Sequence, residues 1–168
     1  TLYSTTGERT LRLAAEAELI ASAQVTQRES MSELKASPGQ IDIVDLNSGN
    51  VIKEIPLNGI LRDFDITDSG AEVIAAVQQS DAKAPPKQID VPQDSTGRLT
   101  TLQRFKPSTG EMIGESSELE MPVCAIRYTR SGLACFVGME YPNGYEDELS
   151  AKLGAVQIPG GKQVNDKP

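Results

Sequence analysis

The 168-residue chain contains no histidine and no tryptophan. Without histidine, catalytic sites of the Ser-His-Asp and Cys-His kinds are excluded, as are zinc sites that depend on imidazole. Aromatic residues make up only 4%, so a core must be assembled from Leu, Ile, Val and Ala. Two cysteines, Cys124 and Cys135, are too few for a disulfide-dense scaffold. No stretch approaches the 18 consecutive apolar residues of a membrane-spanning helix, so no membrane span is expected. Positive charge is also in short supply. Sixteen Lys and Arg face 24 Asp and Glu, a formal net charge of -8, which argues against a nucleic-acid partner. The first residue is Thr1, which fits either a removed leader or a piece of a longer chain.

What is present is globular in character: 38% hydrophobic and 24% charged residues, enough for one domain of ordinary size. Self-similarity is the strongest internal signal. SELKASPGQIDI, starting at Ser32, matches DELSAKLGAVQI, starting at Asp147, at Glu, Leu, Ala, Gly and Ile, and Gly97 falls midway between Gly39 and Gly154. DFDITDSGAEVIAAV (63–77) likewise lies over AIRYTRSGLACFVGM (125–139), and SGNVIKEI (48–55) over TGEMIGES (109–116). A repeat of about 60 residues follows.

Each repeat reads as four short strands. IDIVDL alternates apolar and polar residues, Asn47-Ser48-Gly49 is a turn, VIKEIPL is a second strand, Asn58-Gly59 turns again, and ILRDFDIT meets EVIAAVQ through Asp68-Ser69-Gly70. Four-stranded units repeated along a chain are the mark of β-propeller blades. The order IVDLNSG, NVIKEIPLNG, DITDSG resembles the YVTN-type propeller repeat, with TTLQRFKPSTG, EMIGES and RYTRSG as a looser second copy. The likeness covers about residues 39–161. It implies an all-β fold: a partial β-propeller of about three blades, built from four-stranded antiparallel sheets.

The whole of 1–168 is thus expected to be a single repeat domain. Residues 1–38 form an incomplete first blade, 39–96 and 97–153 are repeat units, and 154–168 begin a further unit or a tail. Residues 8–36 are also rich in Ala, Glu and Leu, so a helix is the alternative there; repeat logic favours a hairpin. Under the resemblance, hairpins 8–24, 60–79 and 121–139 are the inner strands of three blades. TTLQRF and EMIGES are the outer pair of the second, and the outer pair of the third nearly runs out. Closed propellers typically have at least four blades. The expected partner is therefore another propeller segment or a protein subunit, a copy of this chain included.

On the inner hairpins Arg12, Asp65 and Arg127 fall at matching positions, and Asp63 shares a face with Asp65 by strand alternation. Such charges could bind an anion or a metal, pair with one another, or merely be solvated. Asp63, Asp65 and Asp68 before Gly70 partly match a calcium loop, but the third Asp is one residue late. A strand entering a turn accounts for them better. Three long loops, about 25–38, 80–96 and 140–153, are placed by the resemblance on one face of the disc. The third carries Tyr141, Tyr145, Glu146, Asp147 and Glu148, a candidate surface for a cation, a basic peptide or a subunit, or simply a solvated acidic loop. A hairpin closed by Thr129 and Leu133 sets Cys135 opposite Arg127 and leaves both cysteines unbridged.

No catalytic residue and no cofactor are expected, calcium being the one ion weighed. The expected function is a binding or assembly scaffold that completes a larger propeller or complex. The alternative, implied by the resemblance, is part of a propeller enzyme, lactonase-like or akin to a subunit of quinone-dependent amine dehydrogenases, with its site at the channel mouth. The YVTN-type relatives also point to an extracytoplasmic location.

Overall fold

The computed structural model describes residues 9–25, 38–78, 100–119, 123–129, 133–140, 150–157 and 162–164. Alternating apolar residues and glycine-bearing turns divide these into twelve strands. They are β1 (Thr10–Ala14), β2 (Leu19–Ala23), β3 (Gln40–Asp45), β4 (Val51–Pro56), β5 (Ile60–Ile66), β6 (Val73–Gln78), β7 (Thr100–Phe105), β8 (Ser117–Leu119), β9 (Val123–Tyr128), β10 (Ala134–Glu140), β11 (Ser150–Gln157) and β12 (Lys162–Val164). No helix occurs among the described residues. The strands form three antiparallel sheets of identical plan, β1-β2-β3-β4, β5-β6-β7-β8 and β9-β10-β11-β12. Each first strand leads a sheet, and β5 lies between β1 and β9.

Two features differ from the sequence-based expectation. The third sheet has its outer pair, β11 and β12, beginning at Ser150. The outermost strand of the second sheet is Ser117–Leu119 rather than EMIGES, within which only Met112 bridges Phe105. Gly110 and Gly114 both sit at positive φ there, so the backbone turns where alternation alone reads as extended.

The described part of the helix-favouring segment, residues 9–25, is a hairpin, Arg12 opposite Ala21 and Leu13 opposite Ile20; the remainder lies outside the described residues. Propensity loses to the sheet because Ala14, Ala21 and Ala23 are fully buried in it. Its turn lacks glycine, and Glu18 takes the left-handed conformation instead (φ 54°). The Glu18 carbonyl accepts from the Leu46 amide at 2.9 Å, which holds the residue there. The second hairpin uses glycine: Gly70 lies at φ 63°, and a Cβ on it would sit 2.4 Å from that of Ala17. The first two sheets touch at these turns.

Packing is between sheets. One core joins the first and second sheets through Ala21, Ile41, Ile43, Phe64, Val73 and Val77. Another joins the second and third through Ile74, Ala76, Leu102, Ile126 and Phe136. Every residue of β6 is buried, Val73, Ala75 and Val77 serving one core and Ile74 and Ala76 the other. This is strand alternation with both faces covered.

Candidate functional site: the charge cluster across the inner strands

A register shift between Leu61 and Asp63 in β5 turns the Asp63 and Asp65 side chains toward the third sheet. Asp63 is buried. Its Oδ1 accepts from Arg12 Nη2 of the first sheet at 3.0 Å. Its Oδ2 accepts from the Ile126 amide at 3.0 Å and from the Arg127 guanidinium, both of the third sheet. Asp65 Oδ2 accepts from the Tyr128 amide at 2.7 Å, and its Oδ1 lies 4.0 Å from Arg12 Nε. Arg12 Nε also donates to the Phe64 carbonyl at 3.1 Å, with its guanidinium carbon 5.6 Å from the centre of the Phe64 ring.

The structure thus brings Arg12, Asp63, Asp65 and Arg127 together. Two cations meet two carboxylates, and each carboxylate is engaged by a neighbouring sheet. Burial is the dominant influence on Asp65 and pushes its carboxyl above the usual range, against the Tyr128 and Ile66 amides and the charges of Arg127 and Arg12. Asp68 lies in the turn ending at Gly70, the strand-into-turn arrangement. Among the described residues, no three Cys, Asp or Glu side chains converge as a metal-binding group. Tyr141, Tyr145, Glu146, Asp147 and Glu148 lie outside the described residues, as do most of the three long loops.

A second polar junction escaped the sequence reading. The Tyr128 hydroxyl donates to Glu72 Oε1 at 3.0 Å, and Arg104 Nη1 donates to the same oxygen at 3.3 Å. Burial first, then the Glu72 charge, drives the phenol well above its ordinary value, so Tyr128 stays a neutral donor. The one sequence signal was its place beside Arg127. Within the first sheet, Arg9 donates to Ser22 Oγ at 3.0 Å, to the Ser22 carbonyl at 2.7 Å and to Asp42 Oδ2 at 2.7 Å. Cys135 stands opposite Arg127, the Thr129 amide donates to the Leu133 carbonyl at 2.8 Å, and both thiols are free. Burial raises the Cys124 thiol above its ordinary value, which lowers its nucleophilic fraction at neutral pH.

The three inner strands also share a register. Arg12 faces Ala21, Asp65 faces Ile74 and Arg127 faces Cys135 across their hairpins. These pairs occupy matching places, each on the side of its sheet that looks toward the following one. On the opposite side, Leu11 and Leu13 match Phe64 and Ile66, and Ile126 and Tyr128. In chemical terms the cluster is a clasp, tying the inner edges of three sheets by charge-assisted hydrogen bonds.

No family model matches the sequence, and no curated protein matches it. Solved structures do resemble it. Kuenenia stuttgartiensis hydrazine synthase superposes with a TM-score of 0.61 at 11% identity, over 91% of this chain and 40% of that one. The β-propeller domain of Myceliophteria thermophila Cps50 (Swd1) gives 0.52 at 15% identity, over 96% and 39%. The β-propeller domain of the Pyrococcus furiosus trilobed protease, which has an open velcro topology, gives 0.55 at 12% identity, over 95% and 43%. The chain spans about two-fifths of the length of each. The fold is that of a β-propeller, of which the described residues form three four-stranded blades.

Proposed function

We propose that this chain is a rigid assembly segment that completes a larger propeller. One observation carries the reading. Leu11 and Leu13 are each 56% exposed, whereas their counterparts Phe64, Ile66 and Ile126 are 0%, 3% and 0% exposed beneath the preceding sheet. Two large aliphatic side chains on one strand face meet water where the same plan, twice over, has a covering sheet. Burying each would contribute about 2 kcal/mol. The spacing of turns in IVDLNSG, NVIKEIPLNG and DITDSG supports a YVTN-type propeller within the wider fold, and an extracytoplasmic location is proposed on that resemblance alone.

The enzymatic alternative draws on hydrazine synthase as a structural neighbour. The inner charges lend it little support, because both oxygens of Asp63 are taken by the flanking sheets. The test is accessibility. In a Leu13→Cys variant with Cys124 and Cys135 replaced by Ser, maleimide is expected to react at least tenfold more slowly in the native particle than in urea. Equal rates in the particle isolated together with its bound partners would refute completion.

A further inference from the structure

The two terminal sheets carry the two halves of one seam. On the side of each sheet that looks toward the next, the second strand contributes Ala21 and Ala23 in the first sheet and Ile74 and Ala76 in the second, all fully buried. Their counterparts in the third sheet are Cys135, opposite Arg127, and Val137, opposite Ala125. Both are only half-buried. They are small or β-branched, like the residues they match. The Arg127 side chain beside them is 49% exposed, against 20% for its counterpart Arg12, which the second sheet covers. At the other end, Leu11 and Leu13 present large aliphatic groups with no sheet over them among the described residues, as Phe64 and Ile66 would if the first sheet were taken away.

Resting on the assembly reading, we infer that the third sheet of a second copy of this chain covers the first sheet, and reciprocally, closing a two-copy ring of six blades. Each copy offers small and β-branched residues at one end and large apolar ones at the other. The two internal seams likewise set small or β-branched residues against large apolar ones, Phe64 and Ile66 in one and Ile126 and Tyr128 in the other. The arrangement places Cys135 and Val137 of one copy against Leu11 and Leu13 of the other. Arg12 donates to the carbonyl of Phe64, the counterpart of Leu11, across the first internal seam, so Arg127 would reach the Leu11 carbonyl of the other copy. Two such seams related by a twofold axis leave no bare sheet, and six blades lie within the usual range for closed propellers.

Native mass spectrometry and light scattering of the full chain test this. The expected mass is twice 18.0 kDa. Leu13→Arg and Val137→Arg, on opposite ends, are each expected to weaken self-association by at least tenfold with an unchanged circular dichroism spectrum. Sensitivity to both variants separates a head-to-tail seam from a symmetric contact through the first sheet alone, which Val137→Arg would leave intact and which would overturn the proposal. Should Val137→Arg fail to fold, Cys135→Arg on the same face of the third sheet takes its place. A particle of 18.0 kDa overturns the second copy outright. If Leu13→Cys is open to maleimide in that monomer, the assembly reading survives with a partner other than a second copy. If it is protected, the chain covers its own first sheet and both fall.

Discussion

The second sheet and the first have the same strand order and opposite surroundings. In the second, β6 is buried along its whole length and feeds two cores. In the first, only Ala14 of β1 is buried, and Leu11 and Leu13 are exposed. Since the strand plan is shared, the difference comes from neighbours. A propeller sheet is stable through what lies on its two faces, and strand pairing alone leaves apolar surface in water.

The largest expected effect sharpens that contrast directly. Phe64→Ala in the middle sheet is expected to lose about 3–5 kcal/mol in urea unfolding. Leu13→Ala is expected to lose less than about 1 kcal/mol wherever the outer face of the first sheet is in water, and about 2–5 kcal/mol in a closed assembly. The pair of values reads out whether the face is covered.

Next comes the clasp. Asp63→Ala removes the acceptor shared by Arg12, Arg127 and the Ile126 amide. An expected loss of about 2 kcal/mol follows from leaving the buried Ile126 amide and the half-buried Arg12 guanidinium without their partner. A loss below about 1 kcal/mol, the value typical of surface pairs, would mean that the sheets are held by their apolar cores alone.

A smaller effect is in pH. Burial raises the Asp65 carboxyl, so the folded chain holds that proton more tightly than the unfolded one. Its contribution is fully present below the unfolded carboxylate range and is lost as pH rises through the folded value. Relative to wild type, Asp65→Asn is therefore expected to become less stable as pH falls through the acidic range and to match or exceed wild type at neutral pH. Urea midpoints at three or four pH values measure it, and a difference that runs the other way would contradict the burial argument.

The smallest effect concerns the β1–β2 turn. Glu18→Gly relieves about 1 kcal/mol of left-handed strain. It gives up the exposed bond from Asn47 Nδ2 to Glu18 Oε2 at 2.7 Å, for a net gain of about 0.5 kcal/mol in thermal unfolding.

Legibility in the sequence followed how local each cause was. Turns made by Asn47-Ser48-Gly49 and Asp68-Ser69-Gly70 were readable because their chemistry lies within a few residues. The matched positions of Arg12, Asp65 and Arg127 were readable from hairpin alignment. The outer strands were harder. Ile43 and Arg104 occupy corresponding places opposite Ala21 and Ile74, and Ala155 occupies the third opposite Cys135, a register that glycine spacing misses by a few residues. The Glu72–Tyr128–Arg104 junction was invisible because its members are far apart in the chain and belong to two sheets. Cross-sheet contacts leave no periodic trace.

Asp63 has one more consequence, for the order of events as the chain folds. Its partners lie 51 and 63 residues away, so the clasp cannot form while hairpins are assembling one by one. Closing such wide loops is entropically slow and is rewarded only once neighbouring sheets have docked. The carboxylate therefore acts late, as a lock set after the parts are in place, and its influence falls on how long the finished structure persists rather than on how quickly it is reached.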